Sequence, residues 1–290
     1  KVDKCTIENN TINFQGEADA WPSKSKVYVR CVDGEIGTSD VLHVKNFLDS
    51  HDDFKGFVFT YNRISQSARD LSDKYSEIKV QTQGEFYRDL IYPEKYISML
   101  QEKFDNTEIS KYYVSLDCYK ENIFDEDTAQ IEKLGDLENY VDLWLEDQSK
   151  KHLSILGEFG SGKTWFAIYF AKKCLDKYLQ NPHTNRLPIL ISLRDYAKSY
   201  SIKQMMTDLL LNEYGFKFHG AYDVFKELNN QGKFLLIFDG FDEMAQKVDY
   251  STVVENFWEL SSVAILNSKV LLTCRTTHFR YSMESQKVLS

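Results

Sequence analysis

The sequence predicts an α/β protein, a doubly wound parallel sheet preceded by a small α/β domain, and three observations lead there. After Lys150 short apolar segments alternate with helical ones, the pattern of strands joined by crossover helices. Before about residue 95 short strand-like segments are mixed with amphipathic helices. The length of 290 residues exceeds the usual size of one hydrophobic core and favours two domains.

In chain order, Thr11–Phe14, Lys26–Val32, Gly56–Thr60 and Ile78–Gln81 read as strands. Val41–Ser50 reads as an amphipathic helix, Ser65–Tyr75 as a helix, and a further helix runs through Phe86–Leu90, near Pro93. These elements make a first domain of residues 1–95. Residues 96–136 form a connecting segment with acidic clusters at Asp105–Glu108 and Glu121–Asp127. A second domain, residues 137–290, opens with Leu137, Tyr140, Val141, Trp144 and Leu145 at helical spacing. Strands follow at His152–Leu156, Pro188–Leu193, Phe234–Phe238 and Lys269–Thr273. Helices fall at Trp165–Tyr178, Ile202–Tyr214, Tyr222–Leu228 and Ser251–Leu260.

Composition describes a folded chain: 42% of residues are hydrophobic, 27% are charged and only 4 are proline, which argues against long disordered linkers. A net charge of −9 opposes indiscriminate binding to a phosphate backbone, so charge does not support nucleic acid as a partner, although a local basic patch stays open. The 5 cysteines are odd in number, widely spaced and free of C-x-x-C, which suits reduced thiols in a cytoplasmic protein better than a disulfide framework or zinc site. No apolar run reaches the roughly 20 residues needed to cross a bilayer, so no membrane role is expected. The chain begins with Lys1, and we expect it to be an excerpt of a longer polypeptide.

The strongest chemical signal is Gly157-Glu158-Phe159-Gly160-Ser161-Gly162-Lys163-Thr164, which satisfies G-x-x-x-x-G-K-[ST] between a strand and a helix. Glycines let backbone N–H groups turn toward phosphate oxygens, and the helix that follows, running into Trp165, adds its positive end. Lys163 is expected on the β- and γ-phosphates and the Thr164 hydroxyl on Mg²⁺. The carboxylate that Mg²⁺ also needs is expected from Asp239, at the end of the apolar strand Phe234–Phe238. Asp242 and Glu243 are candidates to orient or deprotonate an attacking water, or else a helix N-terminal pair favoured by the dipole. Arg275, ending the strand before it, is placed to sense the γ-phosphate or stabilise its charge.

Together these residues resemble the NACHT family of signal-transduction NTPases, within the STAND group. The resemblance lies in Asp239-Gly240-Phe241-Asp242-Glu243, in Leu271–Arg275, which is similar to the family's sensor 1, and in the helix Leu137–Leu145. It covers about residues 137–280. It implies a P-loop NTPase acting as a switch: nucleotide holds a closed state, a trigger ligand sensed by a C-terminal region opens it, and homo-oligomers form. It implies slow ATP hydrolysis with Mg²⁺, and a role in innate immunity or anti-phage defence. GTP is the less favoured nucleotide, since no N-K-x-D tetrapeptide is present to read guanine.

Residues 11–92 resemble the Mrr-type branch of restriction-endonuclease-like folds, through Gly16-Glu17-Ala18-Asp19, the strand Lys26–Val32 and Lys55–Thr60. Asp19 matches the first acidic position of that family. Arg30 stands where Glu or Gln is expected and Val32 where Lys is expected, and valine neither binds metal nor polarises water. The expectation is a nuclease-like domain without cleavage activity, with a displaced Lys26 or Lys24 as the alternative. Two further readings of the whole chain stay open: a DNA-processing enzyme with an active N-terminal nuclease, and a nucleotide-binding scaffold that does not hydrolyse.

Overall fold

Five strands, β1 (Val2–Glu8), β2 (Thr11–Ala20), β3 (Ser23–Val32), β4 (Phe54–Thr60) and β5 (Ile78–Thr82), lie side by side in that order. The computed structural model describes residues 2–8, 10–20, 23–86, 94–121, 131–182, 184–195, 201–216, 221–245 and 250–276. The side chains of Asp19 and Lys24, positions 87–90 of the expected helix, and positions 122–127 of the second acidic cluster fall outside the described residues. The chain divides into two compact units, one built mainly on Lys1–Tyr92, the other mainly on Pro93–Gly215 and Gly220–Ser290.

In the N-terminal unit β1, β2 and β3 pair antiparallel, whereas β3, β4 and β5 pair parallel. The parallel pairs require crossovers, supplied by α1 (Thr38–Leu48) and α2 (Gln66–Ser72). Helix α1 starts where the Asp40 carboxylate accepts from Gly37 N. Val41, Val44 and Leu48 then fall on one face and pack with Tyr28, Val32, Val58 and Ile78. Two strand assignments differ from expectation. Strand β2 runs on to Ala20, because each residue from Thr11 to Ala20 has a cross-strand partner between Val32 and Ser23. Strand β1 has no apolar signal, being exposed throughout, and owes its form to pairing with β2.

The second unit begins with structure in what reads as a connector. Helix α3 (Glu94–Asn106) buries Tyr96, Ile97 and Leu100, and a short helix α4 (Ile109–Tyr112) leads to the hairpin β6 (Asp117–Glu121) and β7 (Ile131–Asp136). Helix α5 (Leu137–Glu146) is capped by Asp136, whose carboxylate accepts from Asn139 N at 2.9 Å. It buries Leu137, Val141 and Trp144, as its spacing predicts.

Four parallel strands follow, β8 (His152–Leu156), β9 (Leu187–Ser192), β10 (Phe234–Asp239) and β11 (Lys269–Cys274), in the order β8-β11-β10-β9. Strands β10 and β11 are central, and Phe234–Phe238 and Lys269–Cys274 are buried on both faces. Helix α6 (Lys163–Gln180) lies against this sheet through Phe166, Phe170, Leu175 and Tyr178. The helix expected over Ile202–Tyr214 is α7 (Ile202–Thr207) continued by a wider π-helical turn, Asp208–Glu213, closed by Tyr214 N donating to Leu209 O at 2.8 Å. Helices α8 (Ala221–Asn230), α9 (Phe241–Ala245) and α10 (Tyr250–Ser261) complete the unit.

Among the described residues, the outer edge of β9 is met by side-chain hydroxyls rather than a strand. Tyr96 Oη donates to Pro188 O and accepts from Leu190 N, both at 2.8 Å, and Tyr214 Oη donates to Leu190 O at 2.9 Å. Exposed strand edges invite foreign pairing, and these two rings close this one.

Candidate functional site

Register brings the chemistry to one end of the parallel sheet. Leu156 pairs with Cys274, Phe238 with Leu272 and Asp239 with Ser192, so β8, β10 and β11 release their chains at the same carboxyl edge. Ligands of open α/β sheets bind there.

The loop after β8 turns through Gly160 and Gly162, with φ of +78° and +90°, which side-chain-bearing residues rarely adopt. It is tied to the sheet by Gly157 N donating to Cys274 O at 3.3 Å. Lys163 folds back along the loop, its Nζ donating to Gly157 O at 2.6 Å, Glu158 O at 2.8 Å and Ser161 Oγ at 3.2 Å. Helix α6 starts at Lys163 with Gly162 as its cap, so its N-terminal amides face the turn.

A cavity of about 480 Å³ opens above this loop. Its walls hold Phe159 through Trp165 from the loop and helix, Gly240, Asp242 and Glu243 from the segment after β10, Thr273 from β11 and Arg275 just after it. Tyr112, Tyr113, Val114 and Leu116 add an apolar wall. A second cavity, of about 660 Å³, shares Leu116, Ser161 and Lys163 with the first, adds Gly157 and extends along β8 toward the β6–β7 hairpin.

Most residues expected at a phosphate site are thus gathered, each in a different setting. Thr164 is exposed at the first turn of α6 and lines the first cavity. Glu158 offers its carbonyl to Lys163, and Gly157 belongs to the second cavity. Asp239 lies one residue below Gly240, where its Oδ1 accepts from Thr273 Oγ1 at 2.6 Å. Glu243 is 40% exposed and meets Arg194 Nε at 3.4 Å, a surface pair too solvated to lock it. Asp242 is buried, and both of its oxygens are engaged by Arg275: Oδ2 by Nε at 2.7 Å and Oδ1 by the backbone N at 3.1 Å. The Arg275 guanidinium also lies over the Phe159 ring, 5.0 Å from its centroid. Beside it, burial and the nearby Asp242 charge push the Cys274 thiol up to about 12, so it stays protonated and unreactive at neutral pH.

Residues that a motif reading leaves out also shape the site. Thr273 orients Asp239, and its signal was a hydroxyl directly after the apolar run Val270–Leu272 of a buried strand. The Tyr112–Leu116 segment carried no motif and reaches the cavity only through the fold.

A strand, glycine loop and helix, joined at one sheet edge to the acid-bearing end of β10, define a P-loop nucleotide-binding module. In agreement, residues 151–288 match the model of the NACHT domain, whose members have the P-loop NTPase fold. An uncharacterized WD repeat-containing protein of Nostoc sp. is 36% identical over 286 residues, a match covering 92% of this chain and 18% of that protein. The chain therefore spans less than a fifth of the length of the curated relative it matches.

Proposed function

We propose that the chain is the nucleotide-binding part of a switch that binds and slowly hydrolyses ATP. The observation that carries this is the single cavity shared by Lys163, Thr164, Glu243 and Arg275. A triphosphate in it would meet loop amides, an ammonium and a guanidinium, the charge pattern phosphoryl transfer needs. Lys163 would exchange its three loop acceptors for phosphate oxygens. Tyr112, Val114 and Leu116 offer an apolar wall for the base.

Mg²⁺ fits the donors at hand. The Thr164 hydroxyl and Asp239 carboxylate are hard oxygen ligands of the kind that hold Mg²⁺ together with phosphates, and the Thr273 contact fixes one Asp239 oxygen. Bound there, the ion would neutralise charge on the phosphate oxygens. Glu243, open to solvent within the cavity, would accept a proton from the attacking water or orient it.

The switch reading extends to partners. Homo-oligomers would form on activation by a trigger ligand, and a WD-repeat region like the one named in the Nostoc relative would serve as the sensor. Five free cysteines suit a cytoplasmic setting, and among the described residues no helix is long and apolar enough to cross a membrane. Immune or anti-phage defence is the role that fits such a switch. For the N-terminal unit we propose a nuclease-like fold that does not cut. Three antiparallel strands followed by two parallel ones support the fold, and Arg30, at a position expected to hold metal, instead bonds Asp40 Oδ1 at 3.0 Å and Asn13 Oδ1 at 3.1 Å.

Phosphate release by the full-length protein, with ATP and GTP in competition, tests the central proposal. Turnover that falls about a hundredfold or more in Glu243→Gln while ATP binding persists is expected. Equal turnover of wild type and variant would remove Glu243 from the chemistry, no turnover in either would favour a scaffold, and a preference for GTP would replace ATP. Plasmid DNA with Mg²⁺ should stay intact, and trigger-independent cutting would favour a DNA-processing enzyme.

A further inference from the structure

The two acids that follow Gly240 are chemically unequal. Asp242 is 3% exposed and faces Arg275 with both oxygens, one on the side-chain Nε and one on the backbone N. A carboxylate so engaged holds both the chain direction and the guanidinium plane of Arg275. Its adjacent position on a short helix leaves Glu243 partly exposed, and among the described residues its ion pair is the weak one with Arg194. Arg275 is held by Asp242 and also lies over the ring of Phe159 in the loop after β8. An arginine meant to read a terminal phosphate needs such a support, since an unsupported guanidinium loses rotamer entropy on every binding event.

We infer that Asp242 is a positioning residue, not a proton acceptor: it aims Arg275 at the terminal phosphate and so sets the preference for a triphosphate over a diphosphate. Glu243 alone then deals with water. This rests on the nucleotide-site reading above and assigns different work to two neighbouring carboxylates.

The test is the ratio of ATP to ADP affinity, measured by calorimetry with Mg²⁺ on the full-length protein. Asp242→Asn and Arg275→Ala should each lower that ratio about tenfold, the scale of one charge-assisted hydrogen bond. The double variant should lose no more than Arg275→Ala does, because the two act in series. Glu243→Gln should keep the ratio while turnover stops. An Asp242→Asn protein that keeps the ratio but stops turning over behaves as a base variant and overturns the inference, as do additive losses or a wild type with no preference for ATP. Should Asp242→Asn fail to fold, Asp242→Leu with Arg275→Met replaces the pair by apolar side chains, a change buried ion pairs often tolerate. Its ratio should equal that of Arg275→Met alone, and a further drop would overturn the inference. A wild type that binds neither ATP, ADP nor GTP overturns the nucleotide-site reading itself, an outcome distinct from a binding protein indifferent to Asp242.

Discussion

Thr273 Oγ1 on β11 donates to Asp239 Oδ1 on β10 at 2.6 Å while accepting from Gly240 N at 3.0 Å. One hydroxyl thus fixes the orientation of the proposed metal-binding carboxylate and the start of the turn carrying Asp242 and Glu243. Thr273→Val keeps the shape and removes both bonds. Mg²⁺-dependent ATP turnover should fall about 10- to 100-fold, as when other partners of metal-binding groups are lost, and Thr273→Ser should restore much of it. A magnesium titration of phosphate release checks this; unchanged turnover in the valine variant would assign Thr273 to packing alone.

Lys163 spends its three donors on the loop's own Gly157 O, Glu158 O and Ser161 Oγ. Those acceptors are part-exposed and can turn to water, so Lys163→Ala should leave the unfolding midpoint nearly unchanged. ATP affinity should fall about 10- to 100-fold, the scale of a lost charge-assisted contact. Calorimetric titration reads the affinity and thermal unfolding the stability.

Lys269 is 2% exposed, and its ammonium donates to Trp144 O at 2.5 Å, Asp147 O at 2.6 Å and Lys150 O at 2.7 Å, with the Trp144 ring 4.7 Å away. It binds carbonyls at the C-terminal end of α5 (Trp144), at its cap (Asp147) and in the turn that follows (Lys150), and ties that helix to the central sheet. Lys269→Met would remove the ammonium from these carbonyls, leaving Asp147 O with the Lys150 N–H, and should cost about 2–4 kcal/mol. Urea denaturation measures the loss, and an unchanged midpoint would mean that water replaces the ammonium.

Glu85 accepts from Thr82 N at 2.9 Å, Thr82 Oγ1 at 3.1 Å and Arg69 Nη2 at 2.7 Å. Burial alone would raise its pKa, but the Thr82 and Arg69 contacts together outweigh that and hold the carboxyl below its ordinary range. A depressed folded value gives stability present above the unfolded pKa of about 4.3 and lost as pH falls through the folded one. The stability advantage of wild type over Glu85→Gln should therefore be full near neutrality and shrink below about pH 4. Denaturant unfolding of both proteins across that range tests it; a difference independent of pH would point to packing.

Legibility followed the range of the interactions. Phe234–Phe238 reads as a doubly buried strand because five consecutive apolar residues suit little else, and the structure buries all five. The loop Gly157–Thr164 is legible because its chemistry is local: glycines for positive φ, then a helix start. Strand β1 was invisible because its residues are exposed and its form comes from pairing with β2. Helix α3 was obscured by the acidic stretch where it ends, and its key residue, Tyr96, acts on β9 from 92 residues away.

By itself, then, the sequence determined the alternating architecture of the second unit and the glycine turn that starts α6, since both depend on hydrophobic period and backbone freedom within a few residues. Only the tertiary structure decided that Asp242 belongs to Arg275, Asp239 to Thr273 and Arg30 to Asp40, because a side chain's partner depends on which strands are neighbours and in what register. The adjacent carboxylates of Asp242 and Glu243 thereby came to differ, the first buried against Arg275 and the second partly exposed beside Arg194.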